Sequence, residues 1–216
     1  MEDERRLQTD ALIRRLADEA GTRLRPHHAF LPRLLVASGG SLALAVVVVA
    51  AAFGVRGDLA AHLSSSMYLF KAVAMACVVA AGLVLVRAAG TPGASMRAAA
   101  SLGPALLVLL TGIVLLDDQV PLGGARAVSV PVCLLAIVLA ALPGLALLLF
   151  ALRRATPTRP TFAGGMAGLL AGSIGALAYT LSCVNDGAVF VSAWYSLAIV
   201  ATCAIGALVG RRSLAW

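Results

Sequence analysis

Charged residues are scarce in this sequence, and their scarcity decides the class of protein. Only 12% of the 216 residues are charged, whereas 61% are hydrophobic. Soluble domains carry roughly 25% charged and about 45–50% apolar residues, so an ordinary soluble fold is excluded. The mean hydropathy of +0.96 indicates a membrane protein. We therefore interpret the net charge of +7 as a signal of membrane orientation and not of nucleic-acid binding.

Residue spacings typical of a catalytic or metal site are also missing. The four cysteines, Cys77, Cys133, Cys183 and Cys203, show no CxxC or Cys/His spacing, so neither a zinc site nor a thioredoxin-type motif is supported. No acidic residue lies deep inside a hydrophobic segment, and proton relays and ion pathways usually need such charges. We predict no enzyme activity, no metal, no cofactor and no small-molecule substrate. The alternative is a small transporter or channel subunit without catalytic activity.

Six hydrophobic segments dominate what the sequence does contain. Each is long enough to cross a hydrocarbon core of roughly 30 Å at about 1.5 Å per residue. The third is short and contains Pro104, which disfavours a continuous helix. The predicted fold is all-α, with a six-helix transmembrane domain over residues 34–209 and soluble termini at residues 1–33 and 210–216. The predicted spans are Leu34–Val55, Tyr68–Val86, Ala98–Leu116, Val128–Leu152, Phe162–Leu181 and Ala188–Val209.

The distribution of arginine and lysine predicts the orientation of these spans. If the N-terminus is cytoplasmic, fourteen of the 17 basic residues lie on the cytoplasmic side, as the positive-inside rule requires. Both termini are then cytoplasmic. The outer loops collect Asp58, Asp117, Asp118 and Asp186, and Lys71 lies close enough to the outer boundary for its side chain to reach the interface.

Residues 1–33 are the only sizeable soluble piece, and they predict a short amphipathic helix. Thr9 is a plausible N-cap, and Leu12, Ile13 and Leu16 recur at helical spacing to form an apolar stripe. Gly21 is the predicted C-cap. A helix of about twelve residues is marginal alone in water, so its apolar face needs a partner. That partner is either the bilayer surface or a groove on a cytoplasmic protein.

Charged residues line the other side of the same helix. Arg14 with Asp18, and Arg15 with Glu19, are four residues apart and can pair. Each such pair contributes only a few tenths of a kcal/mol to helix stability.

Small residues recur at intervals of four in the last two spans. Gly164, Gly168 and Gly172 lie in the fifth span, and Gly206 and Gly210 lie in the sixth. Such faces let helix backbones approach closely where lipid supplies no hydrophobic drive. We predict that they pack within the monomer and not across a dimer seam.

Two of the cysteines share a level near the outer surface. Cys133 lies about 7–8 Å below that surface at the start of the fourth span, and Cys183 emerges at the end of the fifth. Two thiols facing an oxidising compartment could form a disulfide or capture a soft metal or an oxidant. The alternative is that each is simply a small buried hydrophobe. The nearby Tyr179, Trp194 and Tyr195 are typical of an interfacial aromatic belt.

Four stretches, in this order, resemble one family. They are "TDALIRRLADEA" before "LRP", "PVCLLAIVLAALPGLALLLFALRRATPTRP", "AYTLSCVNDGAVFVSAWYSLAI" and the terminal "GRRSLAW". The chain resembles the NrsF-type anti-sigma factors of proteobacteria, six-span inner-membrane proteins that inhibit extracytoplasmic-function sigma factors. The chain departs from the family pattern at its longer acidic-basic start and before the final Trp, where an arginine is more typical.

The resemblance implies a sigma-binding segment from Thr9 to about Arg25 and a stress signal that releases the sigma factor. Leu12, Ile13 and Leu16 would supply the buried contacts. Cys133 and Cys183 would be candidate sensors. The charged rim of the contact would be Arg14, Arg15, Asp18 and Glu19.

Overall fold

The computed structural model is helical, with no strand among the residues that it describes. These residues are 2–22, 30–91, 96–115, 122–124, 129–155 and 157–214. The α-helices are α1 (Glu2–Thr22), α2 (Phe30–Phe53), α3 (Leu59–His62), α4 (Ser66–Ala89), α5 (Gly103–Leu115), α6 (Ser129–Arg153), α7 (Pro160–Tyr179), α8 (Ala188–Phe190) and α9 (Ser196–Ser213). A 3₁₀ helix over Met96–Leu102 precedes α5, and a π-helical turn over Val191–Tyr195 joins α8 to α9.

Five of the six predicted spans are confirmed as helices of sufficient length and apolarity to cross a membrane. They are α2, α4, α6, α7 and the continuous helical stretch Ala188–Ser213. Large apolar side chains such as Val36, Val47 and Leu135 are more than half exposed on the outside of this bundle. A membrane protein turns such side chains toward lipid, so their exposure agrees with the membrane class.

The third predicted span, Ala98–Leu116, is not one long α-helix. Its first part belongs to the 3₁₀ helix that ends at Leu102, and α5 begins only at Gly103. Pro104 explains the change, since proline has no N–H for a helical bond and its ring clashes with the preceding turn, yet it is tolerated in the first turn of a new helix. A membrane crossing by this third segment therefore stays a prediction.

Helix α7 is the most deeply buried of the five long helices and packs against α2, α4, α6 and α9. Its glycines permit the closest of these approaches. A Cβ atom added to Gly210 would lie 2.6 Å from the Cα atom of Gly164, and one added to Gly206 would lie 2.8 Å from that of Gly168. Real Cβ atoms do not come so close to backbone. The prediction that the glycine stripes pack within the monomer is confirmed.

The bundle has two ends, which we name by residues. The Cys183 end is where α2 and α7 finish and α4 and α6 begin; there the backbone N–H of Arg56 donates to the carbonyl of Leu181 at 3.0 Å. The Arg211 end is where α6 and α9 finish, and there Arg153 Nε donates to the carbonyl of Ser213 at 3.1 Å.

Helix α1 begins earlier than the sequence pattern predicts. The helix starts at Glu2, and Thr9 lies inside it with its hydroxyl donating to the carbonyl of Arg5 at 2.8 Å. The prediction of Thr9 as N-cap is therefore wrong, because three acidic residues open the chain and acidic residues favour the positive end of a helix dipole. Gly21 is likewise inside the helix, which ends at Thr22.

Candidate functional site

A buried ion-pair network occupies the Cys183 end. Its centre is Lys71, whose side chain is fully shielded from solvent in the second turn of α4. Lys71 Nζ lies 2.7 Å from Asp186 Oδ1 and donates to the carbonyl of Cys183 at 3.1 Å. The carbonyl of Asn185 is a third acceptor at 3.4 Å. The ammonium group of Lys71 thus contacts three residues of the loop that follows α7.

Arg56 completes the network from the loop after α2. Its Nη1 lies 2.7 Å from Asp186 Oδ2, and its Nε lies 2.7 Å from Asp58 Oδ1. It also donates to the carbonyl of Cys183 at 3.3 Å, the same carbonyl that Lys71 engages. Two cations and two carboxylates balance in charge, which lets both cations be shielded from solvent.

The two carboxylates raise the pKa of Arg56 above its ordinary value. The hydrogen bond to Asp58 is the largest contribution to the pKa of Arg56, and together with the interactions of Asp186 it outweighs the cost of burial. A group with a raised pKa keeps its contribution to stability at every pH below the pKa that it has in the unfolded chain, which for arginine is strongly alkaline. Arg56 therefore stays charged and does not act as a switch at physiological pH.

The position of Lys71 corrects one prediction from the sequence. Its side chain does not reach the membrane interface, because Asp186 and two carbonyls satisfy it inside the bundle. Hydropathy and residue spacing did not predict this network. A usable signal was present, since a cation four residues into an apolar run requires a partner. Asp186, five residues beyond the fifth predicted span, was one of four acids near the outer ends of the spans, and the sequence did not distinguish it from the other three.

Both candidate sensor cysteines lie in the core at this end. Cys133 is in the first turns of α6 and is fully buried, while Cys183 follows α7 and is 3% exposed. Both residues belong to one cluster of buried side chains, and the Cys183 thiol is 3.7 Å from the carbonyl of Asn185. All four cysteines are described, and all four are free thiols. The structure thus brings Cys133 and Cys183 to one end, while their sensing role stays a prediction.

Two tyrosine rings lie buried beside the ion-pair network and do not form an interfacial belt. Tyr195 is fully buried and Tyr179 nearly so, with ring centroids 6.2 Å apart. Lys71 Nζ lies 5.9 Å from the centroid of Tyr195, within range of a cation–π contact. Trp194 alone keeps an interfacial character, since it is partly exposed and its indole N–H donates to the carbonyl of Leu122 at 2.7 Å. Tyr195 ends the π-helical turn, a local widening of the helix found frequently at functional sites.

The second candidate site is the apolar stripe on α1. Leu12, Ile13 and Leu16 are 56%, 57% and 55% exposed. Residues spaced by three and four lie on one face of a helix, so the three side chains form one apolar surface. The predicted rim residues Arg14, Arg15 and Asp18 are also exposed. The side chain of Glu19, and Arg25 at the predicted end of the segment, lie outside the described residues.

Metal ligands do not gather anywhere in the described part of the chain. No group of three or more His, Cys, Asp or Glu residues there could hold an ion. The geometry of both candidate sites is therefore that of contacts and packing: an exposed apolar face at one place and a buried charged cluster at another.

The comparison with known proteins settles the family. A family model described as "Negative regulator of sigma F" matches residues 19–216. The chain belongs to the NrsF family. The match begins after the whole of the α1 stripe and includes all five long apolar helices. No solved structure matches the chain.

Two NrsF proteins are similar to the chain over nearly its whole length. One is described as a probable anti-sigma-F factor NrsF from Azospira oryzae and is 33% identical over 215 residues, covering 97% of this chain and 100% of the relative. The other is the anti-sigma-F factor NrsF of Caulobacter vibrioides, also 33% identical, over 216 residues, with the same coverage. The predicted resemblance is confirmed.

Proposed function

We propose that this NrsF-family protein is an anti-sigma factor of the bacterial inner membrane. Its N-terminal segment sequesters an extracytoplasmic-function sigma factor in the cytoplasm, and a stress signal at the Cys183 end releases it. Both termini are cytoplasmic in this proposal, and the bundle is the anchor, surrounded by membrane lipids. The observation that carries the proposal is the exposed apolar stripe of α1 on a chain of this family.

The stripe offers enough apolar surface for a specific contact. Burying one large aliphatic side chain is worth roughly 1.5–3 kcal/mol. Leu12, Ile13 and Leu16 are each more than half exposed, so a groove that covers all three gains several kcal/mol before the costs of association. A helix laid with its apolar face in a hydrophobic groove is a common mode of peptide recognition. The charged neighbours Arg14 and Arg15 then select the partner by complementary charge.

The signal step acts on the packed cluster at the opposite end of α2. Cys133 and Cys183 are the candidate sensing thiols there, and the backbone of Cys183 is held by Lys71 and Arg56. A modified thiol at Cys183 cannot fit the space that a free thiol fills, because the core around it is close-packed. The loop must then shift, and the helices that it joins shift between two arrangements with different affinity for the sigma factor.

The same geometry supports a transporter less well than an anti-sigma factor. A transport path needs polar groups along the membrane's depth, and the buried charges cluster at the Cys183 end. Toward the Arg211 end, Leu34, Leu148 and Leu152 are fully buried and apolar. The buried polar side chains Ser38, Ser41 and Thr202 are uncharged, and each donates to a carbonyl of its own helix. Lys71 is also tied to three acceptors, which does not suit a group that must bind and release an ion.

A promoter-reporter experiment in living cells tests the proposal with the full-length protein. The chain is co-expressed with each extracytoplasmic-function sigma factor of its own genome, and the output of a matching promoter is measured. We expect the wild-type chain to repress one of them and Leu16→Asp to restore its activity, because a carboxylate in the apolar contact opposes burial.

Ala11→Asp is the matched control, because it adds the same charge to the opposite face of α1. It should repress like the wild type. Repression by Leu16→Asp, with both variants inserted at equal levels, would refute the role of the stripe.

A further inference from the structure

A groove between α6 and α9 runs from the Arg211 end into the depth of the bundle. Its floor includes the buried Leu145 and Leu149, and its walls are formed by Leu142 and Ala146 on α6 and by Val209 on α9. The open volume of this groove is about 420 Å³. A depression of about 870 Å³ lies at its mouth.

The length of the groove matches one leaflet of a bilayer. Leu142 and Arg153 are eleven residues apart on one helix, which corresponds to about 16 Å. Half of a hydrocarbon core of roughly 30 Å is about 15 Å. An acyl chain has this length, whereas a water-soluble partner cannot follow the groove into the hydrocarbon.

The mouth of the groove is strongly basic. Arg153, Arg211 and Arg212 line it, together with Leu208 and Ser213, and no acidic side chain is among its described lining residues. Arg153 is fixed across the two helices by the hydrogen bond of its Nε to the Ser213 carbonyl. A guanidinium group held in this way presents its remaining N–H groups in the geometry that suits a phosphate.

An orphan hydroxyl group lies at the same place. The Ser213 hydroxyl is shielded from solvent and has no hydrogen-bond partner among the described residues. Buried polar groups are nearly always paired, so each exception requires an explanation. A phosphate bound beside Arg153 supplies the missing acceptor.

We infer that this groove binds one anionic phospholipid, with its phosphate between Arg153, Arg211 and Arg212 and an acyl chain along α6. Basic pockets between transmembrane helices are the usual sites for anionic lipid head groups. This site is separate from α1 and from the Cys183 end, so it adds a lipid requirement to the proposed function without depending on it.

Native mass spectrometry of the full-length protein in detergent tests the inference. The probes are phosphatidylglycerol and phosphatidylcholine with identical acyl chains, and the measured quantity is the fraction of protein that retains lipid. We expect at least tenfold stronger retention of phosphatidylglycerol by the wild type. Arg211→Gln with Arg212→Gln should remove most of that preference, because each arginine near an anionic head group strengthens binding about fivefold.

Two further variants distinguish the contribution of the head-group contacts to lipid binding from that of the groove. Arg87→Gln with Arg159→Gln removes the same charge elsewhere at the same end and should leave the preference within twofold of wild type. Ala146→Trp fills the groove and should weaken retention of both lipids. Circular dichroism and thermal unfolding verify that each variant is folded, and Arg211→Gln alone replaces the double variant if that one is not.

Three outcomes would overturn the inference. The first is equal retention of the two lipids by the wild type. The second is an equal loss in the control pair, which would mean diffuse attraction of anions to a basic surface. The third is displacement of phosphatidylglycerol by inorganic phosphate at the same concentration, which would mean a site for free phosphate that needs no acyl chain.

Discussion

The N-terminal helix exposes apolar side chains, whereas the Cys183 end buries a charged one. Each is the reverse of the usual placement of that kind of side chain. On α1, Leu12, Ile13 and Leu16 are more than half exposed although they are apolar. At the Cys183 end, Lys71 is fully buried although it is charged. Charged groups are buried only when they are paired, and an apolar face left outside marks a binding surface. The difference is that the buried site has its partners within the chain, whereas the partner that we propose for the exposed stripe is another protein.

The two regions should therefore respond to mutation in opposite ways. Changes to the ion-pair network at the Cys183 end should alter the stability of the fold, because its contacts are already made. Changes on α1 should alter binding and leave stability nearly unchanged, because its contacts are made only with a partner.

The largest expected effect is that of Asp186→Asn. The substitution leaves Lys71 buried without its carboxylate, and breaking a buried ion pair by removing one partner costs about 3–5 kcal/mol. Thermal unfolding in detergent measures the loss. Asp58→Asn is the matched control: its carboxylate is half exposed, so the loss should stay below about 1 kcal/mol. Equal losses in the two variants would mean that burial of Lys71 does not matter.

A smaller effect is expected where α7 and α9 meet. Gly206→Ala places a methyl group against the backbone of Gly164 and Gly168, so the helices must separate, at a cost of about 1–3 kcal/mol. Gly39→Ala is the control, because nothing lies within 4 Å of its added Cβ atom. Thermal unfolding of both variants decides the point, and a neutral Gly206→Ala would contradict the close packing.

The candidate sensor cysteines should affect the response more than the fold. We expect Cys133→Ser or Cys183→Ser to alter the reporter response to thiol-reactive stress while basal repression persists. Cys77→Ser and Cys203→Ser serve as controls, since both residues are only partly buried. An unchanged response in both Cys133→Ser and Cys183→Ser would count against a cysteine sensor.

The smallest effect on stability should come from α1. Leu16 is 55% exposed, so Leu16→Asp should change the free energy of unfolding by no more than about 0.5 kcal/mol. The same thermal unfolding measurement applies. A loss comparable to that of Asp186→Asn would show that the stripe packs on the bundle and is not free for a partner.

The spans were predictable because hydropathy and length act locally. The fifth predicted span, Phe162–Leu181, differs from α7 by two residues at each end. The close packing at the glycine stripes was also predictable, because their spacing alone places the glycines on one face of each helix. The third span was the exception, because a single proline changes the helix type within it.

The ion-pair network could not be derived in the same way. Lys71 and Asp186 are 115 residues apart, and their contact depends on which helices are neighbours. Hydropathy contains no information on helix adjacency. The same limit applies to Cys133 and Cys183, whose common depth was predictable, whereas their proximity depends on the packing of α6 beside α7.

Hydrogen–deuterium exchange of the full-length protein, with and without its sigma factor, tests the central claim most directly. We predict that binding protects amides within residues 8–18 of α1, while the amides of Lys71 and of the last turn of α7, which ends at Tyr179, already exchange slowly and change little. Protection confined to the Cys183 end, with α1 exchanging as in the free protein, would contradict it.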